Sequence, residues 1–143
     1  MVCTFFGHKD APESIKEKLE FEINSLIQSG IKSFLVGNNG YFDYLVQDLL
    51  KYISKDQNNI HYNIVLSKIN EQAVSGCQHS TVFPEGLEFA HPKYAICKRN
   101  DWLIKNSNIA IVYVTNSYSN CYKWAKKALS NGLKVINLAD MLI

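Results

Sequence analysis

Five short, largely apolar and β-prone runs constrain this chain more than any other feature: Val2–Phe6, Ile31–Val36, Ile60–Leu66, Ile109–Val114 and Leu133–Leu138. Strands that stay apolar instead of alternating with polar residues bury both faces, which is the habit of parallel sheets. Parallel neighbours need long crossovers, usually helical and right-handed. The expected fold is therefore α/β and Rossmann-like, with about five parallel strands in the order 3-2-1-4-5 and helices on both faces. The chain reverses direction across the sheet between the runs Val2–Phe6 and Ile109–Val114. A ligand should bind above the carboxyl ends of those two strands.

The intervening stretches carry helical periodicity. Ile15, Leu19, Ile23, Leu26 and Ile27 fall on one helical face, as do Phe42, Leu45, Val46, Leu49, Leu50 and Ile53. Asp10, Pro12 and Glu13 read as the cap and first turn of the first helix. Gly30 and Gly132 read as helix stops. Pro92 is expected to open a helix running to about Asn106. Another spans Tyr118–Asn131 with Tyr122, Ala125, Ala128 and Leu129 inward. Residues 68–91 are irregular, and so long a connection is expected to cover a ligand.

Composition narrows the classes. The chain has 143 residues, 47% hydrophobic and 20% charged, and a net charge of +2. That is one ordinary domain with a real core. It carries no basic run that would mark nucleic-acid binding. No stretch of about 18 apolar residues occurs, so no membrane partner is expected. Early Asp10 and Glu13 argue against a secretion signal, leaving the cytoplasm as the expected location. The four cysteines form no C-x-x-C pair and read as free thiols. Cys77-Gln78-His79 lacks a second pair of ligands, so no metal site is expected, and no cofactor either.

Four polar segments are candidates for a site. Gly7-His8-Lys9-Asp10 follows the first strand: Gly7 permits a tight turn, and His8 and Lys9 offer donors to an anion at a helix N-terminus. Gly37-Asn38-Asn39-Gly40 follows the second; its glycines admit a phosphate or ribose, its asparagines can bond sugar or base, and Asp43 can meet a ribose hydroxyl or favour the helix start. Pro84-Glu85-Gly86-Leu87-Glu88 offers two carboxylates, Glu85 and Glu88, as bases or hydroxyl binders, with Arg99 downstream as a phosphate clamp. Thr115, Ser117, Ser119 and Asn120 feed a helix after the fourth strand, which suits an anion. Cys121 sits at that helix start but has no histidine assignable to it, so the sequence argues against a cysteine nucleophile. Trp102 reads as core.

Taken together, Gly7-His8-Lys9-Asp10, Gly37-Asn38-Asn39-Gly40 with Phe42-Asp43, Pro84-Glu85-Gly86, Lys98-Arg99-Asn100-x-Trp102 and the strand ending in Tyr113-Val114 resemble the SLOG superfamily. More closely, the chain looks like small bacterial and phage members that begin T-x-x-G-H-[RK]. The superfamily includes LOG-type phosphoribohydrolases, DNA-processing proteins of the Smf/DprA type, and domains that sense NAD-derived signals in immunity against phage. The resemblance implies a nucleotide ligand more firmly than a reaction. In LOG-type enzymes an Arg on the helix before the fourth strand and a Glu in a P-G-G-x-G-T-x-x-E loop act together. Arg99 sits where that Arg would, but Lys123 stands near the Glu position, and a lysine accepts no hydrogen bond from ribose.

Three functions follow. The foremost is binding of a nucleotide or an NAD- or ADP-ribose-derived molecule, as a sensor or a sequestering sponge. The alternative is hydrolysis of the N-glycosidic bond of a nucleoside 5′-monophosphate, with Arg99, Glu85 and Glu88 as the catalytic candidates. The third is a regulatory protein partner with a vestigial site. A homodimer or higher homo-oligomer is expected from the helical aromatics Tyr44, Tyr52, Tyr94 and Trp124.

Overall fold

A computed structural model describes residues 1–57, 59–68 and 79–143, with the side chains of the last span from Thr81 on. Among the described residues, six parallel strands form one sheet: β1 (Val2–Gly7), β2 (Ser33–Val36), β3 (His61–Val65), β4 (His79–Val82), β5 (Ile109–Tyr113) and β6 (Lys134–Asn137). Their order is β4-β3-β2-β1-β5-β6. The five expected strands keep their expected order, and β4 is an addition. It lies outside β3, pairing Tyr62 with His79 and Val65 with Val82, within the 68–91 stretch that the sequence marks as irregular. Residues 69–78 of that stretch, Cys77 and Gln78 included, lie outside the described residues.

Among the described residues, four α-helices cover the sheet: α1 (Lys16–Gln28), α2 (Tyr41–Asp56), α3 (Ala95–Lys105) and α4 (Asn120–Ser130). Alternate residues of each central strand feed opposite faces. Cys3, Phe5, Phe34, Val36, Ile109 and Ile111 pack with α1 and α2 around Leu19, Ile23, Val46 and Leu50. Phe6, Leu35, Val65, Ala110, Val112 and Val114 pack with α3 and α4 around Leu103, Ile104, Ala125 and Ala128. This two-sided burial is why the strands carry no polar alternation. Trp102 packs at the edge of the second core, as expected.

Both expected helix stops hold. Gly30 and Gly132 have φ of 104° and 89°. Ile31 N–H reaches back to Leu26 O (3.0 Å) and Leu133 N–H to Ala128 O (3.1 Å), closing α1 and α4. The start of α1 differs from expectation. Asp10 is exposed and caps nothing; Ala11 N–H instead bonds His8 O (3.2 Å), and a short 3-10 turn, Glu13–Ile15, leads into the helix after Pro12. Leu129 also departs: it is exposed, because Cys121, Ala125 and Ala128 set the buried face of α4. The helix opened by Pro92 begins as a 3-10 turn, Pro92–Tyr94, and becomes α-helical at Ala95. Among the described residues, no helix is long and apolar enough to cross a membrane.

Candidate functional site

Strand order puts the carboxyl ends of β2, β1 and β5 side by side, and close backbone approaches bind their loops together. Gly7 ends β1 against Phe42 of α2; a methyl group there would lie 2.4 Å from the Phe42 ring. Tyr41 N–H donates to Lys9 O at 2.8 Å, joining the loop after β2 to the loop after β1. Gly40 makes this possible with φ of 106° and no side chain, since a Cβ would lie 2.8 Å from Lys9 Cα. On the other flank, Thr115 N–H after β5 donates to His8 Nε2 at 3.0 Å. The three loops enclose an open cleft of about 690 Å³, within the ~300–1,000 Å³ range of small-molecule sites.

The β2 side of the cleft is built on charge. Arg99, on α3, is only 2% exposed. Its Nε donates to Asn100 Oδ1 (3.1 Å), and its Nη1 to Val65 O (3.2 Å) and Asn38 Oδ1 (3.4 Å). One guanidinium thus ties α3 to the ends of β2 and β3. Gln47 Nε2 donates to Gly37 O at 2.8 Å, fixing the same loop from α2. Glycine at 37 lets both side chains close on the loop: a Cβ would lie 2.8 Å from Asp43 Oδ2 and 2.9 Å from Arg99 Nη1, so one of them would have to shift. Asp43 is buried in the first turn of α2, and its Oδ2 accepts from Asn39 N–H at 2.9 Å. Burial pushes its carboxyl up to about 6, against the opposing pull of the Arg99 charge and the Asn39 N–H.

The β5 side is built on neutral polar groups. His8 Nδ1 lies 3.1 Å from Cys121 Sγ, the histidine–cysteine pairing that the sequence did not provide. The hydrogen bonds define its state. The Thr115 N–H can only donate, so Nε2 carries the lone pair and Nδ1 the proton. Nδ1–H therefore points at Sγ. Ser119 Oγ donates to Asn116 O (3.2 Å) and stands 3.3 Å from Sγ, ready to accept the thiol proton. The chain His8 Nδ1–H to Sγ–H to Ser119 O–H to Asn116 O satisfies every member with Cys121 neutral. Burial raises the Cys121 thiol above its ordinary range; Ser119 and the N–H groups of Cys121 and Tyr122 pull down, and Asp10 adds to the rise. His8 is thus placed as a donor to Cys121, not as its base.

Of the residues expected at a site, Gly7, His8 and Lys9 line the cleft from β1, Gly37, Asn39 and Asp43 from β2, and Ser119 and Asn120 from α4; Arg99 forms part of its floor. Asn38, Gly40 and Thr115 act behind that surface: Asn38 accepts from Arg99, Gly40 abuts Lys9 and Thr115 holds His8. Asp10 and Ser117 are exposed outside the lining, as are Glu85 and Glu88 on the Pro84 loop, whose Pro84 is itself buried. Cys121 lines the cleft at the end of the Thr115–Cys121 segment, and Lys123, Trp124 and Lys127 line it without having been expected there. Their signal is helical spacing: Asn120, Lys123, Trp124 and Lys127 are one face of α4. The half-buried Trp124 ring stacks on Phe6 (centroids 6.3 Å apart). Lys127 pairs with Asp101 of α3 across the cleft rim. Among the described residues, no three His, Cys, Asp or Glu side chains gather to hold a metal ion.

Fold and cleft together define the class: an α/β protein with a Rossmann-like parallel sheet and a cleft of mixed polar and apolar lining at its topological switch point. No protein-family model matches the sequence, and no curated protein matches it.

Proposed function

We propose that the cleft binds a nucleotide, or a molecule derived from NAD or ADP-ribose, and that the protein serves as a sensor or sequestering sponge for that signal. The observation that carries this reading is the meeting of the loops after β1, β2 and β5 around one cleft at the switch point. Ligands of open parallel sheets bind there. Lys9, Lys123 and the first turn of α4 supply cation and amide dipole for a phosphate. The likeness of these same segments to the SLOG superfamily supports the ligand class. Binding is favoured over turnover because Cys121 is neutral, His8 has its lone pair engaged, and Glu85 and Glu88 stand outside the cleft lining.

Calorimetry against AMP, NAD, ADP-ribose and cyclic ADP-ribose isomers tests the proposal. At least one should bind with Kd below about 100 μM, near −5.5 kcal/mol. Lys123→Ala should weaken it by about tenfold, as loss of a charge-assisted phosphate contact does. No binding across the panel rejects the reading. One observation favours hydrolysis of a nucleoside 5′-monophosphate as the second reading: Asp43, with its proton held to about 6, lies in the cleft wall beside Arg99. Release of free base from AMP or CMP, abolished in Asp43→Asn, would establish it. A cytoplasmic setting and self-association belong to the same proposal. The exposed Tyr44, Tyr52 and Tyr94 supply the contact surface, and light scattering should give at least a dimer mass.

A further inference from the structure

We infer that Asp43 recognises the ribose hydroxyls of the ligand, so that the cleft takes ribonucleotides in preference to their deoxy counterparts. The inference rests on the nucleotide reading above and assigns the sugar subsite within it.

Asp43 is 8% exposed, and the exposed part faces the cleft. An ionised carboxylate has room for about four donors. Asn39 N–H fills one position, on Oδ2. Among the described residues, nothing donates to Oδ1. Arg99 acts on Asp43 by charge, while its described hydrogen bonds run to Asn100, Val65 and Asn38. Oδ1 has no protein donor yet is not sealed from solvent, so it opens on the cleft, where a donor can reach it. Water can fill that place only while the cleft is empty of ligand.

What Asp43 can take is narrowly defined. A phosphate brings acceptors and like charge, so it is repelled from this position and directed towards Lys9, Lys123 and the start of α4. A neutral group with two adjacent O–H donors suits a carboxylate with an open oxygen. The ligand thus carries paired hydroxyls at one end and an anion at the other, the pattern of a ribonucleotide. The rigid mounting of Asp43 in α2, with Gly37 and Asn39 packed against it, makes the position selective. Sites built to bond a hydroxyl reject the analogue that lacks it, because the buried partner is then left unpaired.

The test compares AMP, 2′-deoxy-AMP and 3′-deoxy-AMP by calorimetry on the wild-type chain and on Asp43→Asn at pH 7.5. AMP should bind wild type at least about tenfold more tightly than either deoxy form. Asp43→Asn, its folding checked by thermal melting, should bind AMP only as tightly as the deoxy forms. Wild-type affinities within about twofold of one another overturn the assignment and leave the nucleotide reading standing. A folded variant that keeps the full preference for AMP also overturns it. If the variant does not fold, the wild-type ratio decides alone. AMP failing to bind overturns the assignment as well, and NAD or ADP-ribose binding in the same instrument shows whether the nucleotide reading falls with it.

Discussion

The two sides of the cleft are made from opposite materials. On the β2 side, a nearly inaccessible guanidinium and a buried carboxylate share a loop with a glycine that leaves no space between them. On the β5 side, His8, Cys121 and Ser119 pass neutral hydrogen bonds in series to a backbone carbonyl. The first side holds charge where water screens it poorly, so removing either partner leaves the other buried and uncompensated. The second keeps its groups uncharged and partly open, so its residues can meet a ligand at little structural cost. A site with one rigid charged wall and one neutral wall holds its shape without ligand, and is suited to recognition more than to proton transfer.

The comparison breaks most readily at Arg99. Arg99→Leu leaves Asp43 as a buried carboxylate without its cation and strips donors from Asn100 and Val65. Unfolding in urea at pH 8 should show a loss of about 3–5 kcal/mol. Adding Asp43→Asn should restore part of it, with a coupling of about 0.5–3 kcal/mol. A loss below about 1 kcal/mol would mean that the β2 side holds no charge worth the name.

A smaller effect follows from the Asp43 proton. Its carboxyl titrates near 6 in the folded chain and at 3.8 as an ordinary aspartate. Between those values the native state binds more protons than the unfolded state, so stability falls as pH rises and is gained on acidification. The gain between pH 7 and pH 4 should reach about 2.4 kcal/mol, because about 1.4 kcal/mol per pH unit acts in full only between the two values. Other carboxylates change stability over the same range, so the measure is the difference between wild type and Asp43→Asn. The variant keeps an oxygen for Asn39 N–H and should lose only this slope. Parallel pH profiles would place the Asp43 charge in solvent and erase the contrast between the two sides.

How much of this could be read beforehand depends on how local the signal is. The central strands announced themselves because both faces of Val2–Phe6 and Ile109–Val114 are buried, with Thr4, its hydroxyl donating to Leu35 O, the polar exception in the first run. Gly30, Gly40 and Gly132 carry positive φ, and a sequence writes that need directly as glycine. β4 was illegible. His-Ser-Thr-Val is short and polar and lies at the sheet edge, paired with β3. The start of α1 misled because Asp10, Pro12 and Glu13 satisfy a local capping rule that the turn at His8–Ala11 overrides. Arg99 was found by motif, but its burial was not, since nothing in an Arg-Asn pair tells a guanidinium clamped inside from one reaching out. The His8–Cys121 contact joins residues 113 positions apart. It was implicit in the strand order, which sets the loops after β1 and β5 together, yet no spacing rule names the pair.

The finest test of the contrast is the reactivity of Cys121. Thiolates, not thiols, attack alkylating agents. Cys121 is buried with its thiol held above the ordinary range, and its proton has an acceptor in Ser119. Cys97 is exposed on α3 at the same cleft. Iodoacetamide at pH 7.5, followed by peptide mass spectrometry, should modify Cys97 at least about tenfold faster than Cys121, with Cys121 catching up only as the pH passes the ordinary thiol range. AMP in the buffer should slow Cys121 further, because Ser119 and Asn120 line the cleft beside it. If Cys121 reacts first at neutral pH, its proton is already gone. His8 must then have accepted it, with the Thr115 N–H bond broken to free the ring. The β5 side would then be an ion pair like its neighbour, and a cysteine nucleophile would return as the chemistry of the cleft.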